Sequence, residues 1–511
     1  MIAFVLGKKG FAIMKSASII GAGIGGLATG CYLQMNGYDT QIFEMHDKPG
    51  GLCTAWERKG YTIDGCIQWL IGSSPNNDFY KFWQELGIIQ DKQIINLDEL
   101  MRVETSDGKV FDFFTNADRL EQHMKEIAPE DADFIGEFTG AIRRFSNFSM
   151  AVDKNPELFT ILDYLRMAKF ASTMRSFKKW SKMTLSEMAQ SFKNSTMRKF
   201  WQQIWEPNMS TFNLLMSLGA LHSKSAGYPI GGSNEIARSV EARYIKLGGK
   251  INYKKKVNEI LTENNRAIGV KLGDGTEHKT DYVVSAADGY ETIFEMLDGK
   301  YVNDKIRGYY DQLPVFTPIV YVGLGVNRSF DDTPKIISGI KLELEKPLVI
   351  GGKENKFLMI RIYNYDPTLA PQGKTVLTST IDSSYSYWEG LRKDMKLYNQ
   401  EKERVANEVI SALDRRFPGL AKQVEMQDVA TPITYYRYTG NWQGTYEGWV
   451  PTPNTPPTFV MNKTLPGLEN FYMVGQWVMP GGGLPTGAIS GRWVTQMICK
   501  KDDKKFLTSK P

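Results

Sequence analysis

A short apolar run, Ala17-Ser18-Ile19-Ile20, leads directly into Gly21-Ala22-Gly23-Ile24-Gly25-Gly26, and small apolar residues follow from Leu27 to Leu33. That order reads as a buried strand, a tight loop and a helix packed on a sheet. The glycines fall as G-x-G-x-x-G on Gly21, Gly23 and Gly26. In such a loop the first glycine allows the tight turn. The second lets a pyrophosphate approach the backbone, and the third lets helix and strand pack closely. The anion would rest on the helix N-terminus, where free N–H groups and the helix dipole favour negative charge. Asp39–Phe43 reads as the second strand, and Glu44 closes it, 23 residues beyond Gly21. A carboxylate there accepts hydrogen bonds from ribose hydroxyls and repels a 2′-phosphate. An ordinary βαβ unit with a surface Glu would lack this coincidence of strand, glycines, helix and acid, so a dinucleotide site is expected.

At 511 residues the chain is too long for one compact core, and two or three domains are expected. A net charge of +5 is small for this length, and no basic patch interleaved with aromatics appears, so no nucleic-acid partner is expected. Four cysteines without regular spacing and four scattered histidines argue against a disulfide framework and against a metal site. A reducing, cytoplasmic location fits. No run reaches the roughly 18 apolar residues that span a bilayer. Residues 1–13 lack the order of a signal peptide and read as an extension that packs little.

Two further glycine clusters bear on which dinucleotide is held. Lys48-Pro49-Gly50-Gly51-Leu52 follows soon after Glu44, where a nicotinamide dehydrogenase would continue its helix–strand alternation. Paired glycines let a second backbone segment close over the nucleotide. Far downstream, Asn470–Val474 reads as a strand ending at Gly475-Gln476-Trp477. Pro480-Gly481-Gly482-Gly483-Leu484-Pro485-Thr486-Gly487-Ala488 then opens a second helix. That helix start could meet the far end of a long cofactor. No second G-x-G-x-x-G follows a strand, so no separate nicotinamide domain is expected.

These blocks, with Gly227-Tyr228-Pro229-Ile230-Gly231-Gly232, Gly248–Val257, Thr431-Pro432 and Tyr438-Thr439-Gly440, resemble the flavoprotein family of bacterial phytoene desaturases, carotenoid isomerases and retinol saturases. The resemblance runs from about Ser16 to about Lys500. It implies an α/β fold: a Rossmann-like FAD-binding domain assembled from discontinuous segments, plus an inserted α+β substrate domain with a helical subregion. The expected FAD segments are 14–100, 221–300 and 426–505. A helical, membrane-facing region is expected at 101–220 and a substrate sheet at 301–425. The resemblance also implies FAD as cofactor, a lipophilic polyene substrate, and membrane association without spanning. Carried over, Gly21, Ala22, Gly23, Ile24, Gly25 and Gly26 hold the pyrophosphate, and Glu44 with Met45 the adenosine ribose. Gly50, Gly51 and Leu52 close the loop, and Val257 meets the adenine side. Gly475, Gln476, Leu484, Pro485, Thr486 and Ala488 lie along the ribityl chain and ring. Trp69, Tyr228 and Trp477 are placed near the ring, on the substrate side. Leu52 stands where many relatives have Arg, and Gln476 where many have Asp.

Between these blocks, Lys250–Tyr253, Ala267–Leu272 and Tyr282–Ser285 read as short strands with a Gly273-Asp274-Gly275 hairpin, expected to form a small sheet over the adenine half. Ser285–Asp288 returns the chain to the main sheet. Residues 120–220 read as mostly helical, with a capping box at Thr184 and Glu187. Residues 164–182 form a basic amphipathic stretch that reads first as a solvated helix packed on its own protein, and with a water-insoluble substrate also suits an anionic membrane surface. Val315–Val326 and Lys374–Ile381 read as strands and Lys396–Arg416 as a charged helix. The 22 methionines suit a flexible apolar tunnel or a plain core. The expected function is FAD-dependent oxidoreduction of carbon–carbon bonds in a carotenoid, retinoid or similar polyene. The alternatives are a flavin amine oxidase and a non-catalytic, flavin-containing lipid-binding protein. No catalytic acid or base stands out.

Overall fold

The computed structural model describes residues 14–146, 153–163, 177–455 and 461–511. One end of the molecule is a five-stranded sheet, all parallel, in the order Lys250–Asn252, Asp39–Phe43, Ser16–Ile20, Tyr282–Ser285, Phe471–Met473. Three distant stretches of chain therefore build one sheet. Helices cover its strands, so they read as apolar runs rather than alternating ones. Ile19, Ile42, Val283 and Val284 have no exposed surface.

The small antiparallel sheet consists of Val257–Glu263, Arg266–Leu272 and Glu277–Lys279. This corrects the expected trio. Lys250–Asn252 and Tyr282–Ser285 pair into the main parallel sheet instead, and the polar strand Val257–Glu263 takes their place. Its alternation is weak because only Val257 and Ile260 are buried.

A second large sheet has seven strands, in the order Val424–Ala430, Ile319–Val326, Thr375–Asp382, Lys353–Ile362, Ile336–Ile350, Glu99–Glu104, Val110–Phe114. The expected boundaries after residues 100 and 425 fall inside its strands. The region 101–220 thus opens on a hairpin of this sheet before turning helical. On one face the helix Met395–Arg416 packs Val405, Val409 and Leu413 against Val320, Val322 and Leu324. Towards the hairpin end, Val103, Phe111 and Phe113 share a core with the helices Ala117–Ile127, Ala132–Ser146 and Thr211–His222.

The capping box forms as expected: Glu187 N donates to Thr184 Oγ1 at 3.1 Å and Thr184 N to Glu187 Oε2 at 2.8 Å. Most of the basic stretch, residues 164–176, and the extension 1–13 lie outside the described residues. Among the described residues no helix is long and apolar enough to cross a membrane, and no His/Cys/Asp/Glu group could hold a metal ion.

A buried carboxylate joins the two layers near the nucleotide loop. Asp64, fully buried, accepts from Ser233 N at 2.6 Å, Ser233 Oγ at 2.7 Å, Cys66 N at 2.9 Å and Ile67 N at 3.1 Å. Gly232 beside it has φ +63°, and a Cβ there would stand 2.1 Å from Asp64 Oδ2.

Candidate cofactor and substrate site

The loop after the first strand has the geometry its glycines require. Gly21 sits at φ +92°, and a Cβ on Gly26 would lie 2.0 Å from the Gly21 carbonyl oxygen. Gly23 differs: a Cβ there would meet nothing nearer than the Gly50 carbonyl oxygen at 3.9 Å. The glycine therefore keeps a cradle open. Behind it the helix Ile24–Met35 begins with no side-chain cap and no acidic residue in its first turn. Its leading N–H groups have no partner within the helix and face that cradle. An anionic diphosphate satisfies such donors. Glu44 ends the second strand, 6% exposed. Its Oε2 accepts from Ala22 N at 2.6 Å and its Oε1 from His46 N at 2.8 Å. Burial raises its carboxyl above the usual range, and these backbone donors pull it back. Met45, next in the chain, is partly exposed.

The paired glycines close over this loop. Gly50 N donates to Ala22 O at 2.9 Å. A Cβ on Gly51 would lie 3.3 Å from Gly23 Cα, and one on Gly50 would strike the Cys53 carbonyl oxygen at 2.2 Å. Leu52 follows, half-buried.

The C-terminal segment returns to the same place. Val474 N donates to Ser285 O at 2.9 Å, and Gly475 N to Ser490 Oγ at 2.8 Å. A Cβ on Gly25 would lie 3.6 Å from Gly475 Cα, and one on Gly487 3.4 Å from Gly25 N. The helix Gly483–Lys501 also starts without a side-chain cap or an acid in its first turn. Two open helix starts thus converge across Gly25 and Gly475. Leu484 and Ala488 are buried, while Pro485 and Thr486 keep some surface; Thr486 Oγ1 donates to Gly483 O at 2.8 Å. Asn441 orients the neighbouring pair: Gln476 Nε2 and Trp477 Nε1 both donate to its Oδ1 at 3.1 Å. Val257 is buried at the head of the small sheet, in a cluster shared with Ile20, Phe43 and Val283.

The three aromatic candidates have different surroundings. Trp69 is half-buried and stacks on Trp205 with centroids 6.1 Å apart. Tyr228 is 1% exposed, and its hydroxyl donates to Asp366 Oδ2 at 2.8 Å. Trp477 is buried edge-on against Trp449 at 5.0 Å. Of the three, only Trp69 retains notable surface beside the half-buried Tyr446 and Met359.

Residues not picked from the sequence also stand here. Glu447 lies in the turn Gly444–Gly448, against the Gly481–Gly483 loop. The charges of Glu206 and Asp382 act on Tyr446, and the same two act on Lys341. The available signal was a lone acid inside the aromatic run Trp442–Trp449. The four residues are far apart in sequence; Lys341 and Asp382 lie on strands of the seven-stranded sheet, Glu206 and Glu447 in loops.

A model of the family described as flavin containing amine oxidoreductase matches residues 24–499. The chloroplastic prolycopene isomerase of Daucus carota is 27% identical over 93% of this chain and 78% of its own. A lycopene-forming phytoene desaturase of a Paracoccus species is 24% identical over 96% and 98%. The all-trans-retinol 13,14-reductase of Danio rerio is 23% identical over 94% and 87%. Among solved structures, putrescine oxidase aligns with TM-score 0.59 at 11% identity, over 96% of this chain and 99% of that one.

Proposed function

Because the chain belongs to the flavin-containing amine oxidoreductase family and is a flavoenzyme whose cofactor is FAD, we propose that it acts on carbon–carbon bonds of a lipophilic polyene, by desaturation, saturation or isomerisation. The observation that carries the reading is the meeting of two uncapped helix starts across Gly25 and Gly475. The relatives running at 23–27% identity along almost the whole chain are named for carotenoid and retinoid chemistry. The amine-oxidase reading is not favoured: putrescine oxidase, at 11% identity, shares the fold alone.

We assign Gly21–Gly26 to the pyrophosphate and Glu44 with Met45 to the adenosine ribose. Gly50, Gly51 and Leu52 serve as the closing strap, and Val257 supports the adenine end. Gly475, Gln476, Leu484, Pro485, Thr486 and Ala488 take the ribityl chain and ring. Neutral Gln476 in place of an acid hydrogen-bonds without adding charge. Bound FAD supplies the redox chemistry, accepting a hydride from a saturated carbon or giving one to a double bond. The protein residues position and dry the reacting carbons. Trp69 offers an apolar face to the polyene, and Tyr228 and Trp477 are assigned to the substrate side of the ring. We propose the division 14–100, 101–220, 221–300, 301–425 and 426–505 in outline only, with the boundaries after 100 and 425 moved clear of the strands Glu99–Glu104 and Val424–Ala430. Its support is the parallel sheet built from three distant stretches.

We also propose a cytoplasmic protein in peripheral contact with the inner face of a membrane through residues 164–182. The support is the sequence of that stretch, and sedimentation with anionic but not neutral vesicles tests it. The flavin assignment is tested by the visible spectrum of the purified protein before and after anaerobic dithionite. The two bands of an oxidised flavin are expected, and they should bleach. A protein without them, and not restored by added FAD, would sink the assignment.

A further inference from the structure

A carboxylic acid stands beside the proposed ring end of the FAD site with nothing to hold it. The Cγ and Cδ of Glu447 lie 3.1 and 3.2 Å from the place a Cβ on Gly482 would take. Gly448, next in the chain, rests on the Gln476 carbonyl oxygen, 3.0 Å from its own Cβ position. The Glu447 turn therefore lies directly on both the loop after the last strand and the start of the last helix. Among the described residues no donor reaches the Glu447 carboxyl. Asp64, by contrast, is held by four donors. Glu447 is half-buried, and its carboxyl lies against the Gly481–Gly483 loop.

Its charged neighbour is Glu206, on the helical side, whose Oε1 accepts from Thr317 N at 3.1 Å. Asp382 and Lys353 from the seven-stranded sheet act on Glu206. Lys341, whose Nζ donates to Gln203 O at 2.8 Å, faces Glu206 and Asp382. Tyr446 and Tyr435 complete the group. Burial, and then the like charge of Glu206, push Glu447 up to about 8. Burial also raises Glu206 and lowers Lys341.

We propose that Glu447 is the acid–base residue of the carbon–carbon chemistry, with Glu206 as its positioning partner. This rests on the assignment of Gly475–Ala488 to the ring end of FAD. In saturation, the Glu447 O–H bond breaks and its proton forms a C–H bond at one carbon of the double bond. A hydride from the reduced flavin forms the C–H bond at the other carbon. The O–H electron pair stays on the carboxylate, and the flavin loses two electrons. Desaturation runs the same exchange backwards. For saturation Glu447 has to carry the proton at neutral pH, which its surroundings favour; for desaturation it has to start as the carboxylate, so activity in that direction rises with pH through the same titration.

The test is infrared titration of the FAD-loaded protein, following the carbonyl stretch of a protonated carboxylic acid from about pH 6 to about pH 10. The expected band disappears with a midpoint near 8. It is absent in Glu447→Gln, and its midpoint falls in Glu206→Gln because the like charge is gone. With phytoene, prolycopene and all-trans-retinol in detergent micelles as probes, Glu447→Gln loses roughly 10²–10⁴-fold in kcat with flavin content unchanged. Glu206→Gln moves the corresponding limb of the pH–rate profile to lower pH. The proposal is overturned if no carboxyl band titrates in the wild-type protein, or if Glu447→Gln removes the band but keeps the rate. Loss of FAD from Glu447→Gln also overturns it, since Glu447 would then hold cofactor rather than move protons. If none of the three polyenes is converted, the titration and its two variants decide. A wild-type protein without flavin bands is a separate failure, that of the FAD assignment.

Discussion

Gly23→Glu is expected to leave the protein folded and strip it of FAD. The Cβ has room, with its nearest neighbour 3.9 Å away, so the substitution does not disturb the strand–helix turn. The new carboxylate would occupy the cradle proposed for the pyrophosphate. Like charges about 4 Å apart at an effective dielectric near 20 repel by roughly 4 kcal/mol per pair, about a thousandfold in affinity. Visible flavin per protein after desalting measures it, with circular dichroism reporting the fold. Gly26→Ala is the contrasting case. Its Cβ would overlap the Gly21 carbonyl oxygen at 2.0 Å, so the turn itself must open and FAD and stability fall together. Wild-type flavin content in Gly23→Glu would show that the cradle does not bind the diphosphate.

Asp64→Ala carries the largest expected loss of stability. Four donors converge on that buried carboxylate, from the backbone of Cys66, Ile67 and Ser233 and from the Ser233 hydroxyl. Removing it strands buried N–H groups, each costing on the order of 1–3 kcal/mol, partly offset by relaxation. A net loss of about 4 kcal/mol lowers the thermal midpoint by roughly 4 °C when the 511 residues unfold together. Asp64→Asn should recover part of it, because the amide oxygen still accepts. An unchanged midpoint in Asp64→Ala would mean that water or a neighbouring group replaces the carboxylate at no cost.

The nucleotide end was the most legible part of the sequence because its constraints are local. A glycine needed for φ +92° at Gly21, and one needed for contact at Gly26, must occur at fixed spacing, and Glu44 must close the second strand. The strands Ile319–Val326 and Thr375–Asp382 and the helix Met395–Arg416 were also readable, from apolar runs and a charged helical period. Sheet membership was not. Lys250–Asn252 and Tyr282–Ser285 are identifiable as strands, but which sheet they join is decided by partners at Gln41–Phe43 and Ala17–Ile20. Glu99–Glu104 likewise reads as the end of one segment, and only its parallel pairing with Ile336–Leu342 places it in the large sheet. The same limit hid the Glu447–Glu206 pair: 241 residues separate them, and neither sits in a motif.

The most direct test of the account is anaerobic incubation of the FAD-loaded protein, oxidised or dithionite-reduced, with phytoene, prolycopene and all-trans-retinol in anionic lipid vesicles. Products are separated by chromatography. The account predicts that at least one polyene changes in the number or geometry of its double bonds, and that any change in number is matched by flavin reduction or reoxidation. Intact, redox-active flavin that leaves all three polyenes unchanged, while a primary amine reduces it, would contradict the account.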